Sequence, residues 1–165
     1  MVLNFPVGET VESLVELARF GADRVLELQA RKFSGYVVVT LDGVSGIEEG
    51  LLFLMDGRVV GCAYSLDAAE LAVYGRNALA LFFNGLAARH GIVDLCGLSR
   101  QQLELILALE EKIACDEPLG GMRSLKVAAY SPEPVRKLLP HGAGSQKKYT
   151  KNDLFKRIEL TDLFS

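Results

Sequence analysis

The chain has 165 residues, half of them hydrophobic and 24% charged, with a formal net charge of −3. That length buries a core without disulfides or a metal, and the composition excludes a disordered chain. Charge is unevenly divided: residues 1–140 hold 13 Lys and Arg against 18 Asp and Glu, and residues 141–165 hold five against three. Neither part has the basic excess of a protein built to neutralise phosphates.

No apolar run approaches the roughly 18 residues of a membrane helix. The opening stretch lacks the basic and apolar regions of a secretory signal, so the cytoplasm is the expected location. Cys62, Cys96 and Cys115 are odd in number and have no C-x-x-C spacing. They read as small buried or half-buried residues, not as metal ligands or disulfide partners.

In chain order, apolar positions from Val11 to Leu28 follow helical spacing and predict a helix over residues 10–31, capped by Thr10, with Glu12 and Glu16 at its positive end. Gly21 marks a kink or a close contact in its middle. "GYVVVTLDG" predicts a strand. "GIEEGLLFLMDGRVVGCAYS", residues 46–65, predicts a β-hairpin turning at Asp56-Gly57. A two-residue turn there pairs Met55 with Arg58, Phe53 with Val60 and Leu51 with Cys62. The opposite face then carries Leu54 with Val59, Leu52 with Gly61 and Gly50 with Ala63, a small-residue patch for a helix to approach.

A second helix is expected over residues 68–89, interrupted near Tyr74-Gly75, and then a short strand from Ile92. Ser99 and Gln102 form a capping box for a third helix whose apolar stripe runs from Leu103 to Ile113, ending before Pro118. "SPEPVRKLL" predicts a short helix with proline in its first turn. Residues 141–152 read as a flexible linker, and residues 153–165 as a docking segment beyond a single globular domain of residues 1–140.

Catalytic chemistry finds little support. His90 sits at an expected helix end and His141 in the linker, with no nucleophile or metal ligand at a useful spacing. Glu48 and Glu49 point to opposite faces of a strand and cannot act as a dyad; Glu49 is expected to reach Arg58 or Tyr64. The glycine-rich fragments lack the flanking strand and helix of a phosphate cradle. No cofactor, metal or small-molecule substrate is therefore assigned. The tail repeats Asp-Leu-Phe, and Asp153, Leu154, Phe155, Ile158, Leu160, Asp162, Leu163 and Phe164 are the candidate partner-binding residues, presented to a groove on another protein or folded back on the chain's own body.

Phe33, Gly35, Gly50, Phe53, Asp56-Gly57, Val59, Gly61, Ala63, Gly75, Ala78 and Gly91-Ile92 form a pattern that resembles the PATAN-type domain. It is also similar to a related, mostly archaeal family of proteins of unknown function. The resemblance implies a small α/β module for protein contacts in signalling or cell organisation, and it carries no catalytic residue over.

The expectation is thus an α/β (α+β) domain: a mainly antiparallel sheet of three to five strands with a central hairpin of Gly50, Phe53, Asp56, Gly57, Gly61 and Ala63. An N-terminal helix and two or three later helices flank it. The function expected is a non-enzymatic interaction or regulatory module, an adaptor or scaffold, whose partner is a protein or a second copy. The alternatives are a nucleic-acid-associated adaptor using the basic tail, whose lysines interleave with Tyr149 and Phe155, and an enzyme without a recognisable motif.

Overall fold

The computed structural model describes residues 8–117 and 127–140. The fold is α+β. Its strands are β1 (Glu9–Glu16), β2 (Gly35–Gly43), β3 (Gly46–Met55), β4 (Arg58–Leu66), β5 (Leu71–Tyr74), β6 (Gly91–Gly97) and β7 (Ala114–Glu117). Its helices are α1 (Leu17–Ala30), α2 (Arg76–Leu86), α3 (Arg100–Leu109) and α4 (Glu133–Arg136). All pairings are antiparallel, in the order β1-β6-β2-β3-β4-β5, and β7 takes the part of β4's edge that β5 leaves.

The Asp56-Gly57 turn forms as its sequence demands, with positive φ at both residues. Gly57 N–H donates to the Phe33 carbonyl and Asp56 N–H to Ser34 Oγ, fixing the turn to the loop after α1. Beyond Leu54–Val59 the expected register fails. A bulge at Val60 shifts the return strand by one residue, so Phe53 faces Gly61, Leu51 faces Ala63, Leu52 faces Cys62 and Gly50 faces Tyr64. A one-residue shift turns every later side chain to the other face. Gly50 consequently lies under Phe82 on the first face, while Gly61 lies on the second beneath Leu107 and the Ile113 carbonyl.

The sheet is larger than expected because two stretches with helical spacing are strands. Residues 9–16 pair with β6, and residues 71–74 pair with β4. An open sheet edge offers backbone partners that spacing alone does not reveal. Thr10 therefore does not cap a first helical turn as expected. Glu16 does stand at the N-terminal end of α1, as its N-cap residue and without a side-chain cap bond, while Glu12 forms an ion pair with Arg24. Gly21 does interrupt α1, at φ +59°. Gly75, at φ +67°, separates β5 from α2. α3 starts at the predicted capping box, with Ser99 Oγ accepting from Gln102 N–H and Gln102 Oε1 accepting from Ser99 N–H. It stops at Leu109, and Ile113 is buried in a separate 3-10 turn before β7.

The first face of the sheet is closed by α1 and α2, with Val135 of α4 also in that cluster; Val25, Val37, Val39, Leu52, Leu54, Val59, Phe82 and Val93 have no exposed surface. The second face holds a smaller cluster, in which Leu103 and Ile106 of α3 pack on Tyr36, Leu51, Phe53, Ala63 and Cys96. Cys62 is also buried and Cys115 half-buried, as read from the sequence. Gly61→Leu is expected to destabilise the fold by about 1–3 kcal/mol, the usual cost of overpacking. A Cβ there already sits 3.3 Å from Phe53 Cδ2 and from the Ile113 oxygen. Urea unfolding measures it, and an unchanged midpoint would show that α3 yields without cost.

Candidate functional site

Two features of the described surface and interior differ from ordinary packing. The first is a buried acid. Glu48 of β3 has no exposed surface. Tyr64 Oη donates to its Oε2 at 2.5 Å and Tyr130 Oη to its Oε1 at 3.0 Å, while Val44 N–H donates to Tyr130 Oη at 3.2 Å. Tyr64 reaches Glu48 because of the Val60 bulge, which places it opposite Gly50 and not, as expected, opposite Glu49. Arg58, the other partner expected for Glu49, pairs with Asp116 instead.

Burial pushes the Glu48 carboxyl above its usual range, against the hydrogen bonds that hold it down. The same burial raises the Tyr64 phenol and pushes Tyr130 up to about 12. Both carboxyl oxygens are thus bonded to tyrosines and shut off from water.

The second feature is an apolar patch on β1 and β6. Leu14 is 68% exposed and sits in the left-handed region at φ +53°, a conformation that costs a leucine about 1–2 kcal/mol. Asp94 holds it there: its Oδ1 accepts from Leu14 N–H at 2.8 Å and from Ser13 Oγ at 3.0 Å. Ile92, two residues along the same side of β6, is also exposed, as is Val11 on β1. On α3, Leu105 and Leu109 are four residues apart on one side of the helix and are 51% and 70% exposed.

The sequence-predicted residues distribute differently. Gly50, Phe53, Asp56, Gly57, Gly61 and Ala63 belong to the central hairpin as expected, but the bulge divides them between the two faces. Asp153, Leu154, Phe155, Ile158, Leu160, Asp162, Leu163, Phe164 and His141 lie outside the described residues. His90 lies in the exposed bend before β6, four residues beyond the end of α2. Among the described residues no cluster of three or more His, Cys, Asp or Glu could hold a metal, and no helix is long and apolar enough to cross a membrane. Sequence reasoning missed Leu14 because its apolar spacing reads as helix, and the bond from Asp94 is made 80 residues away.

Residues 3–110 match the family described as "Uncharacterized protein conserved in archaea (DUF2226)". The chain belongs to this family. The match covers the sheet from β1 to β6 and all of α3, and bears out the archaeal half of the resemblance. No curated protein and no solved structure matches the chain.

The Glu48 site generates a pH test. Its folded-state pKa lies above the unfolded one, so folding favours the protonated form. This contribution is fully present below the ordinary value of 4.5 and is lost as pH rises through the folded-state value. Urea midpoints measured over a pH series should show that loss in the wild type, and Glu48→Gln should remove it. A Glu48→Gln curve parallel to the wild type at every pH would mean that Glu48 is not the group responsible.

Proposed function

We propose that the protein is a non-enzymatic interaction module, a PATAN-like adaptor or scaffold of the cytoplasm acting in signalling or cell organisation. Its partner is another protein or a second copy of itself. The observation that carries this reading is Leu14. A large apolar side chain is kept in water, in a conformation unfavourable to leucine, by a dedicated carboxylate on the neighbouring strand. Strained residues that the surrounding structure over-determines concentrate at functional positions. Ile92 on β6 and the Leu105–Leu109 pair on α3 are further exposed apolar side chains available to a partner.

The β1 edge itself favours docking on side chains over strand addition. It is interrupted by register shifts between Thr10 and Glu12 and between Glu12 and Val15, and Glu9, Thr10 and Glu16 face solvent. Bulges and charge of this kind discourage edge pairing.

Leu14→Asn combined with Ile92→Thr tests the reading. Asparagine tolerates the left-handed region and threonine suits a strand, so thermal stability should hold. The immobilised full chain should capture a protein from native cell extract that this variant binds at least about tenfold more weakly, the loss expected for a leucine anchor. A version ending at Pro140 locates the rest of the interface: retention places it on the body, and loss places part of it in the Asp-Leu-Phe segment. Equal capture by the wild type, the double variant and the truncated chain would sink the assignment.

A further inference from the structure

The β4–β5 hairpin turns back through a short acidic segment, and a cleft of about 340 Å³ opens beside it. Asp67 begins the 3-10 turn and Glu70 ends it, with Glu70 N–H donating to the Asp67 carbonyl. Both acids line the cleft, and Leu66, Leu71, Ala72 and Tyr74 give it apolar walls.

Its interior holds an unused polar group. Ser65 also lines the cleft; it is 3% exposed, and its Oγ has no hydrogen-bond partner among the described residues. A buried hydroxyl without a partner costs free energy, so such a group calls for an explanation. Register sets the direction of the side chain. Ser65 stands between Glu49 on β3 and Ala72 on β5, and the neighbouring row on the same face pairs Ala63 with Tyr74. The hydroxyl therefore lies on the side of Ala72 and Tyr74, toward the cleft.

Glu49, half-buried across from Ser65, brings a third acid. Burial pushes its carboxyl above the ordinary range and the Asp67 charge adds to the push, so these two carboxylates are within electrostatic reach. Among the described residues no such group can hold a metal ion, and the apolar walls suit methylene groups instead. An ammonium directs three donors to separate acceptors, as a hydroxyl and two carboxylates at the ends of a turn provide. A planar guanidinium is met best by one carboxylate taking two parallel bonds. The Tyr74 ring already carries one ammonium: Lys112 Nζ lies 4.3 Å from its centroid and 3.6 Å from Glu110 Oε2.

We infer that this cleft binds a primary alkylammonium group, which donates to Ser65 Oγ and to the Asp67 and Glu70 carboxylates while its methylenes lie along Leu66, Leu71 and Ala72. Such a group is the head of a free aliphatic amine or of a partner's lysine side chain. The cleft is at the β5 end of the strand order and Leu14 at the β1 end, so the inference does not rest on the docking role above.

Titration of n-butylammonium into the isotope-labelled full chain, with ionic strength held constant by sodium chloride, tests it. Amide resonances of residues 65–74 should shift and saturate, with a midpoint of about 1–10 mM for so small a ligand. Tetramethylammonium has the charge without an N–H donor and should bind at least about tenfold more weakly. Ser65→Ala and Glu70→Gln should each raise the butylammonium midpoint at least about threefold. Neither should lower the thermal midpoint, since the hydroxyl has no bond to lose and Glu70 is exposed. Nα-acetyl-lysine methylamide separates the sources: binding like that of butylammonium assigns the cleft to a lysine side chain, and no binding assigns it to a free amine. Absent or unsaturable shifts, equal binding of butylammonium and tetramethylammonium, or wild-type binding by both variants would overturn the site.

Discussion

The constraint on which much of this fold depends is the need to satisfy one carboxyl buried under the sheet. A buried ionisable group without partners costs several kcal/mol, so Glu48 obliges the surrounding elements to bring it hydrogen bonds. β4 does so by inserting Val60 as a bulge, which turns Tyr64 toward the acid. Residues 127–140 do so by delivering Tyr130, and that segment is further tied by reciprocal bonds between Ser131 and Asn84. Two glycines make the room: a Cβ on Gly43 would collide with the Glu48 carboxyl, and one on Gly85 would lie 2.8 Å from Tyr64 Oη. Hairpin, helix and C-terminal strap therefore meet at one point.

Magnitudes rank what holds the rest. The ion pairs at β7, Arg58 with Asp116 and Arg76 with Glu117, have arginines that are mostly exposed; such pairs contribute about 0–1 kcal/mol. Burying one Leu, Val or Phe side chain contributes about 1.5–3 kcal/mol. The two apolar clusters hold the sheet between its helices, and the surface charges keep its edges from pairing further. The faces differ in their cover: α1 and α2 both pack on the first, while among the described helices α3 packs on the second.

Two of the buried polar side chains are engaged within the fold, Glu48 with Tyr64 and Tyr130 and Asn84 with Ser131, and the proposed role therefore draws on side chains at the periphery. Leu14 is the clearest of these, because its position has an energetic cost that folding alone does not require. It is joined by an apolar pair on α3, a helix whose inner side is already occupied by Leu103 and Ile106. An interaction module needs little more than such surfaces on a rigid support.

Much of the architecture is written in local chemistry. Asp56-Gly57 specifies a primed turn, Ser99 and Gln102 specify a helix start, Gly21 and Gly75 specify breaks, and the β-branched run of residues 37–40 specifies a strand. Each is decided by atoms a few residues apart, so the sequence alone determines it. Residues 9–16 and 71–74 were not legible, because whether an amphipathic stretch is helix or strand depends on an open edge in β6 or β4 to pair with. The Val60 bulge was hidden for a related reason. Its advantage lies in carrying Tyr64 to Glu48, and the surroundings that bury Glu48 include Tyr130, 82 residues away. The same holds for Leu14 and Asp94. Only the assembled tertiary structure decides such features, since the groups that stabilise them are neighbours in space and not along the chain.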